Sequence, residues 1–185
     1  MTGKYLQAKA RFMVNRAFFF LLLWTAVAVV AESQPTTSGC KPVHDVSQFI
    51  RVWNDAVIGP GSRSHSCTLG LLTPDARITG VVPDKDGNAK RVIETPEEFV
   101  GWYKQHPTET FWERTLHSTI DVYENVARVT RTYEVRDSAN GPVKATGIED
   151  FELIFDGKEW RAFSLLWQDA VPDKPLPARY LPSGK

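Results

Sequence analysis

The first residues whose types and spacing suit acid/base chemistry are His117 and Asp121, in a stretch rich in β-branched and aromatic residues. An imidazole and a carboxylate on one surface can pass protons to and from a bound molecule. Residues at even spacing along a strand share a face, and this face also carries Thr119, Arg128 and Thr130. Such a polar face is typical of a solvated or dimer-contacting sheet surface, so we interpret the pair as part of that surface.

Arg131 and Glu149 are stronger candidates, because each is in step with apolar residues on its predicted strand. Arg131 lies between Val129 and Tyr133, and Glu149 lies two residues before Phe151. Either charge alone in an apolar environment is costly. Two interpretations stay open. The groups form a structural ion pair, or they hold a polar ligand, with Glu149 as a proton shuttle of raised pKa and Arg131 or Tyr133 polarising an oxygen.

Further polar and aromatic residues are predicted to surround this pair. Packing of the core is the alternative role for the aromatic members. The predicted ligand-binding residues are Tyr133, Ser118, Tyr103, Trp102 and Trp112. The sequence carries no phosphate-binding loop, nucleophile elbow or cluster of metal ligands, so we predict neither a cofactor nor a metal.

The cysteines Cys40 and Cys67 are the only two in the chain. They can pair in an oxidising compartment, but the sequence does not show whether their Cα atoms lie close enough. A lipid anchor on Cys40 is disfavoured, because a polar segment separates it from the preceding apolar run. A zinc site with His44 and His65 is disfavoured by the spacing.

The N-terminus has the order of a secretory signal peptide. Basic residues precede the apolar run 17–30, small residues end it at Ala31, and polar residues follow from Glu32. The run is short for a membrane span of about 20 residues, and either Met1 or Met13 is a plausible start. The charged residues of this segment are Lys4, Lys9, Arg11 and Arg16.

Removing those four basic residues from 22 Lys+Arg and 22 Asp+Glu leaves an excess of four acidic residues. This charge and the scattered basic residues argue against a nucleic-acid partner. We therefore expect a secreted or periplasmic protein that makes no membrane contact after cleavage of the signal.

Helical patterns precede a run of strands. An apolar stripe from Val46 to Val57 predicts one helix, residues 67–72 a short second one, and Thr95-Pro96-Glu97-Glu98 the capped start of a third. A short strand is expected at 77–82. Four longer strands, joined by hairpins, are expected at 111–123, 126–136, 143–155 and 159–169.

The hairpin at Glu124-Asn125 predicts which residues oppose one another. A two-residue turn pairs Val122 with Ala127, Ile120 with Val129, Ser118 with Arg131, and Leu116 with Tyr133. This mainly apolar face is expected to be the concave one. On the last strand, Phe163, Leu165 and Trp167 are expected on one face and Trp160, Ala162 and Leu166 on the other. Both faces therefore carry large apolar residues, so we expect the outer face to be covered as well.

The order of elements resembles the NTF2-like superfamily, whose cone-shaped fold includes nuclear transport factor 2, ketosteroid isomerase, scytalone dehydratase and the SnoaL-like cyclases. The resemblance is carried by residues 72–78 (LTPDARI), 117–127 (HSTIDVYENVA) and 151–166 (FELIFDGKEWRAFSLL). The last is similar to the terminal hairpin of SnoaL-like proteins. The chain departs from the family's enzymes, because Ser164–Gln168 carries no histidine where many relatives have one in the pocket.

The resemblance implies an α+β fold in which N-terminal helices pack on a strongly curved antiparallel sheet around an internal pocket. The expected organisation is a signal peptide at 1–31, a linker at 32–42, an NTF2-like domain at 43–171 and a Pro-rich tail at 172–185. We expect a homodimer whose pocket binds a small hydrophobic, oxygenated molecule. A lyase or isomerase of dehydratase or cyclase type is the alternative.

Overall fold

The computed structural model describes residues 39–83, 88–171 and 174–182. The predicted signal peptide and residues 32–38 of the predicted linker lie outside the described residues. Within the described ranges, no helix has the length and apolar character needed to cross a membrane.

Helix α1 (Phe49–Val57) follows a 3-10 turn at Val46–Gln48 and buries one face. The Asp45 side chain accepts from the Ser47 backbone N–H at 2.9 Å and begins the turn. The buried face of α1 includes Phe49, Ile50, Trp53 and Val57, which confirms the apolar stripe read from the sequence. Trp53 packs edge-on against Phe151 of the sheet, with ring centroids 4.9 Å apart.

Two further helices complete the helical layer. Helix α2 (Ser66–Gly70) is short, and α3 (Pro96–Gln105) begins with the predicted capping box. In that box Thr95 accepts from the Glu98 backbone N–H at 3.2 Å, and the Glu98 side chain accepts from the Thr95 N–H at 2.8 Å. Because Thr95 and Glu98 lie only three residues apart, the sequence alone predicts this helix start.

Seven strands form one sheet in the order β1-β4-β5-β6-β7-β2-β3. The strands are β1 (Gly59–Pro60), β2 (Leu72–Pro83), β3 (Ala89–Glu94), β4 (Thr110–Tyr123), β5 (Val126–Arg136), β6 (Val143–Phe155) and β7 (Trp160–Asp169). The meander β4–β7 is antiparallel, as predicted.

The whole sheet is mixed, because one pairing outside the antiparallel meander is parallel. Strand β2 runs parallel to β7, through pairs such as Ile78 with Leu165. The Thr73-Pro74 dipeptide lies inside β2, where the pairing register shifts, a place that tolerates a proline. Strand β3 was missed because this edge strand is largely exposed and charged and lacks a clear apolar alternation.

A β-bulge in β4 changes which residues face inward. The predicted pairs hold from Tyr123 back to His117, including Ser118 opposite Arg131. Thr115, however, pairs with Tyr133, which corrects the prediction that Leu116 does so. A single extra residue moves every side chain beyond it to the other face of the strand.

A second bulge occurs in β7, where Glu152 pairs with Ser164 and Leu153 pairs with Ala162. Phe163 therefore has no partner and is 40% exposed. Trp160, Ala162 and Leu165 are all buried. The prediction that Trp160 and Ala162 lie on the face opposite Leu165 is wrong, because the bulge intervenes between them.

A disulfide joins Cys40 to Cys67, with Cα atoms 5.3 Å apart. It links the segment that precedes α1 to helix α2 across a separation of 27 residues. Closing a loop of that length in the unfolded chain stabilises the folded state by roughly 3–4 kcal/mol.

The Pro-rich C-terminal segment returns to the sheet instead of extending away from it. Its residues 178–180 form a 3-10 turn, and the Thr132 hydroxyl donates to the backbone carbonyl of Tyr180. Thr132 lies on the outer face of β5 and is fully buried. The segment therefore covers part of the polar outer face.

Candidate functional site

A cavity of about 400 Å³ lies between the helices and the inner face of the sheet. This is within the usual range for small-molecule sites, roughly 300–1,000 Å³. Helices α1 and α3 and strands β2 to β7 all contribute to its wall. The lining residues are Trp53, Val57, Val82, Val92, Glu94, Phe99, Trp102, Tyr103, Phe111, Glu113, Tyr133, Val135, Ala145, Glu149, Trp167 and Asp169.

Arg131 is fully buried immediately behind this wall and is held by four side chains. Its Nε donates to Glu149 at 2.5 Å, and its Nη2 contacts both Glu113 and Glu149. Its Nη1 donates to Asn54 Oδ1 at 2.7 Å and to Thr115 Oγ1 at 3.2 Å. All three guanidinium nitrogens are therefore engaged within the protein.

Three strands and one helix place the members of this cluster. The register of β5 and β6 sets Arg131 directly opposite Glu149. The bulge at Leu116 turns Thr115 and Glu113 to the same inner face. Asn54 arrives from α1.

The cluster holds two carboxylates for one guanidinium. Burial raises the pKa of Glu149 to about 7, Arg131 acts to lower it, and Glu113 acts to raise it further. An acidic group with a pKa near neutrality exchanges protons readily at physiological pH. Glu149 also lines the cavity, so its proton is accessible to a bound molecule.

A second polar pair, Tyr133 and Asp169, lies farther along the wall. The Tyr133 hydroxyl donates to Asp169 Oδ1 at 2.7 Å. Burial and the Asp169 charge raise the pKa of Tyr133, so the phenol stays neutral and holds its proton toward Asp169. The Tyr133 ring lies over Gly147, where an added Cβ would be 2.4 Å from the phenol oxygen. Glycine is therefore required at position 147 for this placement.

The structure brings four of the predicted site residues to the cavity wall: Glu149, Tyr133, Tyr103 and Trp102. Tyr103 is buried and stacks on His65 with ring centroids 3.7 Å apart. Trp102 is 38% exposed, so it marks where the cavity meets solvent.

Two predicted ligand-binding residues lie outside the cavity, which corrects the prediction that they line it. Ser118 pairs with Arg131 but is exposed and is not among the residues that line the cavity. Trp112 pairs with Arg136, on the opposite face from Glu113, because the β4 bulge reverses the alternation.

Several lining residues were missed. Glu113 is inward-facing only because of the bulge, for which the sequence gives no signal. Trp167 and Asp169 were identifiable, since both follow Leu165 at two-residue steps on β7. The sequence places Trp167 on the same face of the last strand as Leu165, but does not place it in the pocket. Its ring packs on Gly80 of β2, where an added Cβ would lie 2.5 Å from the indole.

The polar outer face carries His117 and Asp121. They line a cleft of about 340 Å³ beside the C-terminal segment. Within this cleft Arg128 donates to Asp150 at 3.1 Å, and Thr130 donates to the same carboxylate. Within residues 39–83, 88–171 and 174–182, no three His, Cys, Asp or Glu side chains converge as a metal site requires.

No protein-family model and no curated protein matches this sequence. Among solved structures it is similar to the β subunit of a candidate aromatic-ring-hydroxylating dioxygenase from Novosphingobium aromaticivorans. The identity is 12%, the match covers 68% of this chain and 87% of that one, and the TM-score is 0.53.

It is also similar to a protein of unknown function with a cystatin-like fold from Nostoc punctiforme. Here the identity is 14%, the coverage 71% and 92%, and the TM-score 0.50. An NTF2-like protein of unknown function from Shewanella baltica matches at 17% identity, coverage of 68% and 90%, and a TM-score of 0.46. At these identities the likeness concerns the fold alone. The described domain has a cystatin-like α+β fold.

Proposed function

We propose that this protein is an exported domain that binds a small, largely hydrophobic molecule in the cavity beside Glu149. The observation that carries the proposal is the wall of the cavity. It combines seven aromatic rings with carboxylates at a few positions. An apolar cavity with few polar groups is typical of sites that bind a ligand and fix its orientation.

A polar group on the ligand is needed because the buried carboxylates face the cavity. Glu149 is 5% exposed and Asp169 is half-buried, and both line it. An acceptor that faces an apolar cavity is stabilised by a donor on the ligand. A ligand that donates a hydrogen bond, for example through a hydroxyl group, satisfies one of these carboxylates.

Binding is tested with a pair of matched substitutions on β6. Ala145→Phe places a ring in the cavity, whereas Thr146→Phe adds the same ring at the next residue, on the outer face. Calorimetric titration with the neutral compound 4-neopentylphenol is expected to show binding by the native protein and by Thr146→Phe, and none by Ala145→Phe. Equal binding by both variants would contradict the proposal.

Export is supported by the N-terminal pattern and by the Cys40–Cys67 disulfide, because such bonds persist in oxidising compartments. Intact mass and N-terminal sequencing of the exported protein are expected to place its first residue near Glu32. A retained N-terminus, or a lipid on Cys40, would overturn this part of the proposal.

A second candidate function is a lyase or isomerase. It is favoured by one observation: a carboxyl group with a pKa near 7, Glu149, lines the same cavity as the Tyr133–Asp169 pair. Glu149 would move a proton and Tyr133 would orient an oxygen of the substrate. With the substrate in hand, Glu149→Gln is expected to abolish turnover while leaving substrate binding within a few-fold. Unchanged turnover would remove Glu149 from the mechanism.

Dimerisation through the sheet stays a proposal. Its support is a set of exposed apolar side chains on the outer face, Phe163, Leu166 and Ile93, each at least 40% exposed. Leu166 and Ile93 flank Thr79 across neighbouring strands, so they belong to one patch. Light scattering at micromolar concentration is expected to show a dimer that Leu166→Lys disrupts. A monomeric native protein would contradict it.

A further inference from the structure

The cavity wall has an unbalanced charge. Four carboxyl groups line it, from Glu94, Glu113, Glu149 and Asp169. Among the described lining residues there is no lysine, arginine or histidine. The nearest cation is Arg131, which lies behind the wall between Glu113 and Glu149.

Arg131 has no capacity left for an anionic ligand. Its side chain is 0% exposed, and its three nitrogens already contact Glu149, Glu113, Asn54 and Thr115. One guanidinium balances one of the two carboxylates it touches. An anion entering the cavity would therefore meet an excess of negative charge and no free positive donor.

Glu113 and Glu149, in contrast, each keep one carboxylate oxygen that does not contact Arg131. Glu149 contacts Arg131 through Oε2, and Glu113 does so through Oε1. The other oxygen of each makes no hydrogen bond within the described part of the chain. Both residues are more than nine-tenths buried and both line the cavity. Carboxylate oxygens that face the cavity without a protein donor favour a ligand that brings positive charge or N–H groups.

Aromatic faces reinforce this preference. The rings on the wall belong to Trp53, Phe99, Trp102, Tyr103, Phe111, Tyr133 and Trp167. The face of an aromatic ring attracts cations, and cages of aromatic rings are a known means of recognising ammonium groups. Trp102, at the junction with solvent, and Tyr103 behind it come from the same turn of α3.

We propose that the ligand of this cavity is an organic cation, a hydrophobic molecule that carries one protonated or quaternary ammonium group. The inference rests on the proposed binding function and specifies its ligand class. The hydrophobic body packs among the aromatic rings, and the ammonium group lies near Glu113 and Glu149.

Three compounds with the same phenol body and different head groups test the inference by calorimetric titration. The cation is (4-hydroxybenzyl)trimethylammonium, its neutral carbon isostere is 4-neopentylphenol, and the anion is 4-hydroxyphenylacetate. At moderate salt the cation is expected to bind about tenfold or more tightly than the isostere, and the anion most weakly. The cation's advantage should shrink in high salt.

The outcomes separate the two proposals. Binding of the neutral compound as tightly as the cation, or tighter, overturns the ligand class and leaves a hydrophobic binding cavity. Binding of none of the three at millimolar concentration overturns both. If the anion binds most tightly, the preference for a cation is wrong, and a positively charged group must face the cavity.

A matched pair of variants locates the effect. Glu94→Gln removes one charge from the wall without touching the Arg131 cluster. Glu152→Gln makes the same change on the exposed outer face of β6. Glu94→Gln is expected to weaken binding of the cation about three- to tenfold and to leave the neutral isostere unchanged, while Glu152→Gln changes neither. Equal effects of the two variants on the cation would mean that the charge effect is not local to the cavity.

Discussion

Two ion-pair clusters lie side by side on β5 and β6. Both join an arginine to a carboxylate, but one is exposed and the other is buried. Arg128 and Arg131 are three residues apart, and their partners Asp150 and Glu149 are adjacent in sequence. An odd spacing along a strand places the two pairs on opposite faces. The Arg128 side chain is 62% exposed on the outer face, whereas Arg131 is 0% exposed on the inner one.

The difference shows that exposure to water, and not the types of the paired residues, sets how much an ion pair contributes to stability. On the outer face water screens Arg128 and Asp150, and such pairs contribute about 0–1 kcal/mol. On the inner face Arg131, Glu113 and Glu149 have lost their water and depend on one another. The inner cluster also carries one carboxylate more than its cation balances, which leaves a titrating group at the cavity.

The largest expected effect comes from removing the inner cation. Arg131→Met leaves Glu113 and Glu149 buried without their counter-charge, so the free energy of unfolding near pH 7 is expected to fall by roughly 3–5 kcal/mol. Urea denaturation followed by far-UV circular dichroism measures it, with Arg128→Met as the matched control on the outer face. Equal losses for the two variants would show that burial does not distinguish the clusters.

A smaller effect is expected from pH, through Glu149. Its pKa is raised from 4.5 to about 7 on folding, so the folded state binds this proton more tightly than the unfolded chain does. The resulting stabilisation is fully present below pH 4.5 and is lost as pH rises through about 7, a change of roughly 3 kcal/mol.

The test compares the native protein with Glu149→Gln, in which position 149 stays neutral at every pH and Arg131 keeps Glu113. The difference in unfolding free energy between the two proteins should move in favour of Glu149→Gln as pH rises from 4.5 to 8. Glu152→Gln, on the outer face, controls for the exchange of a carboxylate for an amide. A difference that stays constant with pH would mean that Glu149 titrates normally in the folded state.

The same two clusters show how far sequence reasoning reaches in this fold. The sequence places Arg131, Tyr133 and Glu149 on the inner face because each is in step with apolar neighbours on β5 or β6, where the alternation is unbroken. Glu113 was missed and Trp112 misplaced because the bulge at Leu116 reverses the alternation. Bulges depend on how a strand fits its neighbours and leave no clear mark in composition.

Elsewhere in the chain, too, features set by neighbouring residues were predictable and features set by distant residues were not. Helix α3 was predicted from its capping box, which is contained within four residues. The parallel pairing of β2 with β7 joins segments that are far apart in sequence, and nothing local specifies it. The cavity itself depends on such distant pairings, so its wall was only partly predictable.

The smallest expected effect is the coupling between Arg128 and Asp150 on the outer face. A double-mutant cycle of Arg128→Met and Asp150→Asn is expected to give a coupling free energy of about 0–1 kcal/mol. Raising the salt concentration should reduce it further, since exposed charges are screened. Urea denaturation of the four proteins at low and high salt measures both quantities.

One structural feature can sharpen this last expectation. Tyr180 and Arg179 of the C-terminal segment line the same cleft as Arg128 and Asp150, and Asp150 is only 24% exposed. If the segment shields the pair, the measured coupling will exceed 1 kcal/mol and resist salt, and truncation after Lys174 will return it to the range of an exposed pair, about 0–1 kcal/mol. A coupling that is large both before and after truncation would contradict the contrast drawn between the two faces. The outer pair would then be protected by the sheet itself or by a second copy packed against it.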